Sequence, residues 1–295
     1  DIPSGLPCDD VPFDKGAVVR AHFTATFERP KLAFFLPESA PYIYEWKVIS
    51  IGLNQEFIKS LQSKNYYISE HLFHCKIKPR LRFSHKGTYG HGLLIAGSLG
   101  KMGAAILSAR GALRSGIGKI TVHVPRSGND IIQISVPEAM CTLDENLDKI
   151  TALPPLADYN AIGIGPGLGQ GEHAFNLLSS LFKTIDVPLV LDADALNTLA
   201  SHPELLVHLP PNSILTPHPK EFERMAGPSK NSIERLKLLR AFSSKYAVIT
   251  ILKDAITVVC FPDGRLYFNI TGNQGMATAG SGDVLPGIIL GLRTQ

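Results

Sequence analysis

The chain has 295 residues, 44% hydrophobic and 19% charged, enough to bury at least one large core and to form one or two domains. Its 29 basic against 26 acidic residues leave a net charge of +3 with no long single-sign block, which argues against a nucleic-acid partner. No apolar run approaches the roughly 18 residues of a membrane helix and the opening Asp1-Ile2-Pro3-Ser4-Gly5 is not a signal peptide, so no membrane association is expected and the expected location is the cytoplasm.

In chain order, residues 25–35 and 46–51 are expected to be strands from their apolar content, separated by turn-forming residues 37–41. Between about 54 and 85 the composition turns polar and aromatic, marking a linker. His71-Leu72-Phe73-His74-Cys75 brings three possible metal ligands together there, but neighbouring side chains in a polar stretch do not make a closed site without further ligands. Cys8, Cys75, Cys141 and Cys260 have neither zinc-site spacing nor disulfide density and are expected to be reduced thiols. From Lys86 onward, β-type runs at 92–96, 120–124, 161–164, 189–191, 213–215, 247–252 and 257–260 alternate with helix-like stretches. That alternation implies a mostly parallel sheet flanked by helices, in which ligands gather where strand ends lead into helix N-termini.

The glycines fall at those loops. Residues 272–283 run from Gly272 and Asn273 to Gly280-Ser281-Gly282-Asp283 and lead into the apolar stretch 284–292. Small residues let a backbone approach a ligand closely, and a helix starting near Gly280 would aim free amides and a positive dipole at a phosphate. Asp283 then reads either as a base that takes a proton from an attacking hydroxyl or as an ordinary first-turn acid. Gly163-Ile164-Gly165-Pro166-Gly167-Leu168-Gly169-Gln170-Gly171 lacks the dinucleotide-binding spacing, and 111–116 lacks the lysine of a Walker loop. Asp192 and Asp194 suit either Mg²⁺ held through water or a helix cap. His218, fixed between Pro217 and Pro219, can present an imidazole to a ligand or serve structure alone. The stretch Lys253-Asp254-Ala255-Ile256-Thr257 suits a nucleotide pocket or a plain hairpin turn.

Taken in register, Lys86-Gly87-Thr88-Tyr89-Gly90, Ala96-Gly97-Ser98 with Gly103-Ala104-Ala105, Arg114-Ser115-Gly116, Gly165-Pro166-Gly167-Leu168-Gly169, Asp192-Ala193-Asp194-Ala195-Leu196, Thr216-Pro217-His218-Pro219 and the segment from Asn273 to Asp283 resemble the NAD(P)H-hydrate dehydratases of the ribokinase-like superfamily. The resemblance implies an α/β fold and a repair reaction. ADP or ATP, with Mg²⁺, phosphorylates the ring hydroxyl of the S epimer of hydrated NADH or NADPH, and loss of phosphate restores the ring. It implies that Asp283 is the base and a substrate contact; that Gly169, His218 and either Ala104 or Ala105 contact substrate; and that residues 253–257 (Lys253, Asp254, Ala255, Ile256, Thr257) with Asn273, Gly280, Ser281 and Gly282 bind nucleotide. Asp254 departs from the family, where glycine is usual.

Asp1-Ile2-Pro3-Ser4-Gly5-Leu6, Thr24-Ala25-Thr26-Phe27 and Pro30-Lys31 resemble the closing part of a Rossmann-like NAD(P)H-hydrate epimerase domain, which implies a substrate role for Asp1 and a K⁺ role for Ser4. The expected division is therefore an epimerase-like remnant over 1–54, a linker over 55–85 and a ribokinase-like dehydratase domain over 86–295, as a fragment of a longer bifunctional protein. Family members are commonly homo-oligomers. The competing readings are a small-alcohol kinase on the same fold and a degenerate nucleotide-binding module.

Overall fold

The computed structural model describes residues 1–12, 16–70, 72 and 79–295. The first element, β1 (Ala21–Phe27), pairs in parallel with β2 (Ile43–Ile49) as a separate two-stranded sheet. The strand expected to continue to residue 35 stops early, and Leu32–Phe35 wind into a 3-10 turn. A strand would send successive side chains to opposite faces, whereas Ala33, Phe34 and Phe35 are all buried. A short helix, α1 (Gln55–Ser60), begins at Asn54, whose side chain accepts hydrogen bonds from the Glu56 and Phe57 amides.

Among the described residues ten strands form the main sheet, in the order β3-β12-β11-β10-β9-β8-β7-β4-β5-β6. These are β3 (Asn65–Tyr67), β4 (His91–Ile95), β5 (Lys119–Val124), β6 (Met140–Leu143), β7 (Ala161–Ile164), β8 (Leu189–Leu191), β9 (Ile214–Leu215), β10 (Ile249–Leu252), β11 (Thr257–Cys260) and β12 (Leu266–Asn269). Only the β10–β11 and β11–β12 pairings are antiparallel, so the sheet is mostly parallel, as its alternation of strands and helices implies. Residues 65–67, inside the stretch expected as a linker, are an edge strand of this sheet: Tyr66 pairs with Tyr267 and their rings stack at 4.8 Å. Apart from Leu72, the segment from His71 to Cys75 lies outside the described residues.

Helices cover both faces. Along β4, Leu93 and Ile95 belong to one buried cluster while Leu94, with Ala96 just beyond the strand, belongs to the other, as a two-residue period requires. The first cluster is closed by α4 (Glu172–Thr184), α5 (Asp194–Ser201), α6 (Pro219–Ala226) and α7 (Ser232–Lys245); the second by α2 (Met102–Arg114), α3 (Asn129–Ser135) and α8 (Ser281–Thr294). Among the described residues no helix is long and apolar enough to cross a membrane.

The helix that carries Asp283 is seated directly on α2. A Cβ added to Gly287 would lie 1.8 Å from the Ser108 carbonyl oxygen, and one added to Gly111 would lie 2.6 Å from that of Val284. At this crossing backbone meets backbone. The Ser108 hydroxyl donates to the Asp283 carbonyl at 2.6 Å and fixes the first turn of α8 over α2. Because no rotamer can relieve a Cβ pressed against a carbonyl, Gly287→Val should cost about 3 kcal/mol, read as a lower urea midpoint with an unchanged slope.

Candidate active site

The loops that follow β4, β7 and β8 and the loop entering α8 converge at the carboxyl ends of the central strands, where a parallel sheet places its ligands. They enclose a cavity of about 500 Å³ lined by Lys101, Ala104, Gly167, Asp194, Gly280 and Asp283, among others. Gly280 supplies the turn into α8 with a φ of 87°, and its missing side chain leaves room for Leu107, which a Cβ would meet at 2.7 Å. Gly280 thus lines the cavity beside Asp283 at the positive end of the helix dipole.

Two further carboxylates stand behind Asp283. Asp192, only 2% exposed, accepts a hydrogen bond from Lys253 Nζ at 2.8 Å. Asp194 accepts from the Gly169 amide at 2.8 Å, from Gln170 Nε2 at 3.1 Å and from Lys101 Nζ at 3.2 Å. Between them Ala193 has φ 51° and ψ −118°, a conformation that costs a non-glycine residue on the order of 1–3 kcal/mol. That kink sends the two acids to different partners. Burial pushes the Asp194 carboxyl up, but the hydrogen bonds from Gln170, Gly169 and Lys101 outweigh it and hold the group below its ordinary value. Of the two roles left open for this pair in the sequence, helix cap and Mg²⁺ held through water, the cap is not made. Neither carboxylate caps α5, and each is neutralised by a lysine.

Asp283 differs. Its carboxyl is raised above the usual aspartate range, first by burial and then by the neighbouring Asp192, with Lys253 opposing and Asp194 adding a smaller push. Among the described residues its side chain has no hydrogen-bond partner, so it faces the cavity uncommitted. An acid held slightly too basic, with no competing donor, is suited to taking a proton.

The remaining expected site residues divide. Of the pair Ala104 and Ala105, left open in the sequence, Ala104 lines the cavity while the side chain of Ala105 is wholly buried in the core, because adjacent helical residues point about 100° apart. Gly169 lies at the cavity's edge through its bond to Asp194. Lys253 is adjacent through Asp192, whereas Asp254, Ala255 and Ile256 line a different cavity and Thr257 opens β11. Asn273 is exposed and accepts from the Gly275 amide; the Ser281 hydroxyl donates to the Thr278 carbonyl; a Cβ on Gly282 would meet open space. His218 caps α6: its Nδ1 accepts from the Glu221 amide while Glu221 Oε2 accepts from the His218 amide. Its ring is 46% exposed and does not line the cavity.

Asp1 and Ser4 belong to the β1–β2 region. Asp1 accepts from the Phe27 amide at 2.7 Å and pairs with Lys31 Nζ at 2.9 Å, while Ser4 is exposed. Lys101 was missed by sequence reasoning. Its signal was faint, a lone lysine after Gly100 and two residues ahead of the Gly103-Ala104-Ala105 run.

The sheet, its loops and this cavity make the chain a ribokinase-like α/β protein. The family model described as NAD(P)H-hydrate dehydratase matches residues 92–295. The chain is 37% identical to the ADP-dependent (S)-NAD(P)H-hydrate dehydratase of Bacillus subtilis, across 77% of this chain and 80% of that protein. A crystal structure of ADP/ATP-dependent NAD(P)H-hydrate dehydratase from the same organism, co-crystallized with ATP/Mg²⁺, matches with a TM-score of 0.68 at 37% identity, covering 78% of this chain and 81% of that one. The whole chain, 100%, aligns at 36% identity with a bifunctional NAD(P)H-hydrate repair enzyme of Moorella thermoacetica, but spans 57% of that protein. The chain belongs to the NAD(P)H-hydrate dehydratase family.

The ordering of the carboxyls is open to carbon-detected NMR titration. Asp283 should titrate above the ordinary aspartate value of about 3.9. Asp192→Asn should lower the Asp283 pKa, because it removes a like charge and releases Lys253 to act on Asp283 alone; an upward move would contradict this electrostatic account.

Proposed function

We propose that this chain catalyses the nucleotide-dependent dehydration of the S epimer of hydrated NADH or NADPH, with ADP favoured over ATP as phosphoryl donor. The observation that carries this reading is the uncommitted, raised Asp283 carboxyl beside the first turn of α8. In this reaction Asp283 accepts the proton of the ring hydroxyl as its oxygen attacks the terminal phosphorus of ADP, whose bond to the bridging oxygen breaks to release AMP. Negative charge on the transferring phosphoryl group is met by the amides of Gly280, Ser281 and Gly282. The phosphorylated hydrate then loses phosphate and a ring proton, and the double bond returns. Phosphate is the better leaving group, which is why a nucleotide is spent on what is formally a loss of water.

The residues present do not form a Mg²⁺ site of their own. Asp192 and Asp194 are committed to lysines, and among the described residues no group of three His, Cys, Asp or Glu side chains is placed to hold a metal ion. A divalent cation fits this site only as a passenger on the nucleotide phosphates, which is the usual way Mg²⁺ enters such chemistry.

Residues 253–257, with Asn273, are proposed as the nucleotide contacts and Gly169, Ala104 and His218 as the hydrate contacts. The proposed domain division keeps 1–54 as an epimerase-like unit and 86–295 as the dehydratase, with β3 added to the latter from the intervening stretch. Epimerase activity using Asp1, and K⁺ at Ser4, are proposals for the longer protein, as are a homo-oligomeric assembly and a cytoplasmic location.

Addition of protein, Mg²⁺ and ADP to hydrated NADH should restore the near-ultraviolet absorbance of reduced nicotinamide. Asp283→Asn should slow that rise by on the order of 10²–10⁴-fold. Release of a stable phosphorylated product without recovery of absorbance would instead identify a kinase. His218 separates two roles by substitution. His218→Asn keeps a capping side chain, so stability should hold while KM for the hydrate rises; His218→Ala should lose about 1 kcal/mol of stability as well.

A further inference from the structure

Among the described residues that line the Asp283 cavity, Asp194 and Asp283 are acidic and Lys101 is the one basic side chain. Both proposed substrates carry phosphates, which a wall of carboxylates repels unless a cation faces them. The two lysines of the site are not equally able to do this. Lys253 is held at 2.8 Å by Asp192, which is 2% exposed and has no other side-chain donor among the described residues, so turning Lys253 away would strand a buried carboxylate.

Lys101 is built differently. Its side chain is 53% exposed, and its 3.2 Å bond to Asp194 is the longest of the three that Asp194 accepts. An ammonium has three N–H groups, and this one gives a single bond to the protein. If it tilts toward a ligand, Asp194 keeps the Gly169 amide and Gln170 Nε2. The base of the side chain, by contrast, is fixed. The Lys101 amide donates to the Ser98 carbonyl at 2.8 Å, the Ser98 hydroxyl donates to the Gly167 carbonyl at 2.7 Å, and a Cβ on Gly167 would meet the Lys101 carbonyl oxygen at 2.7 Å. A charged tip on a flexible stem therefore stands on a rigid root at the cavity wall. It stands beside Ala104 and, through Asp194, beside Gly169, the proposed hydrate contacts, whereas the proposed nucleotide contacts adjoin Lys253.

We propose that Lys101 is a substrate-binding residue of this site, whose ammonium, anchored at Asp194, gives its remaining N–H groups to the pyrophosphate of the hydrated dinucleotide while Asp283 engages the ring hydroxyl. The inference rests on the reaction proposed above. With the ring at Asp283, the pyrophosphate is the first anionic group along the dinucleotide; the additional phosphate of hydrated NADPH lies at the far end, on the adenosine ribose.

The test is steady-state kinetics of the full 295-residue chain with ADP and Mg²⁺, read as recovery of nicotinamide absorbance. Lys101→Met should raise KM for hydrated NADH and hydrated NADPH alike by ~10-fold, the loss of one charge-assisted bond, with KM for ADP little changed, and Lys101→Arg should recover most of the loss. The hydrate of reduced nicotinamide riboside carries no phosphate and separates charge recognition from support of Asp194. Against it the ~10-fold effect of Lys101→Met on kcat/KM should shrink to less than ~2-fold. An equal loss on the dinucleotide and riboside hydrates would make Lys101 a structural support and overturn the proposal. So would a loss confined to hydrated NADPH, a rise in KM for ADP instead of the hydrate, or no change in KM. A parent chain that restores no absorbance would overturn the assigned reaction and this inference with it, whereas the other outcomes, in an active parent, overturn the inference alone. Lys101→Gln carries the same comparison if Lys101→Met fails to fold.

Discussion

The contact between α8 and α2 sets the position of everything that matters at this site. Where Gly287 lies against Ser108 and Gly111 against Val284, the helices touch through their backbones, so the distance between them is fixed by carbonyl and Cα atoms and not by side chains that can re-pack. The Ser108 hydroxyl then holds the first turn of α8 by the carbonyl of Asp283 itself. A carboxylate on a loop would need further bonds to its own oxygens to stay in place. Here the backbone is held, and the carboxylate oxygens are left free.

The charges around Asp283 divide their work by hydrogen bonding more than by distance. Asp192 and Asp194 differ from it in having donors: a lysine on Asp192, and a lysine, an amide and a glutamine side chain on Asp194. Those bonds hold Asp194 below its ordinary value, and the charges of Asp192 and Asp194 raise Asp283 in turn. The strained backbone of Ala193 is what allows neighbours in sequence to serve separate partners, and it is accommodated because Gly165 has no side chain to collide with the Asp192 carbonyl, 1.9 Å from where a Cβ would stand. Alternate glycines at 165, 167 and 169 thus serve the packing of the loops around the cavity as much as any approach to phosphate.

Much of this was legible in the sequence, and the failures have physical causes. Strands such as β4, β7 and β8 are buried on both faces and read as continuous apolar runs. β3, β6 and β12 were missed because they lie at or near the sheet edges and are three or four residues long, β3 and β12 mixing polar with aromatic residues. Phe34 and Phe35 look like strand until one knows that both must be buried at once. At the site, Asp283 and Gly280 could be named because a glycine turn into an apolar helix is a local pattern. Lys101 and the pairing of Lys253 with Asp192 could not, since those contacts join residues 93 and 61 positions apart.

The edge strand β3 has a consequence for how the chain could be divided. It sits ahead of the dehydratase-like segment in sequence, yet it supplies the pairing partners of Leu266, Tyr267 and Phe268 on β12. A piece that began at Lys86 would leave those backbone groups and the Tyr267 ring facing solvent, the kind of bare, aromatic edge that recruits a second copy and precipitates. A piece beginning ahead of Asn65 would carry its own guard. The two halves of the chain therefore share a seam that overlaps in sequence, and colloidal behaviour would show where it runs.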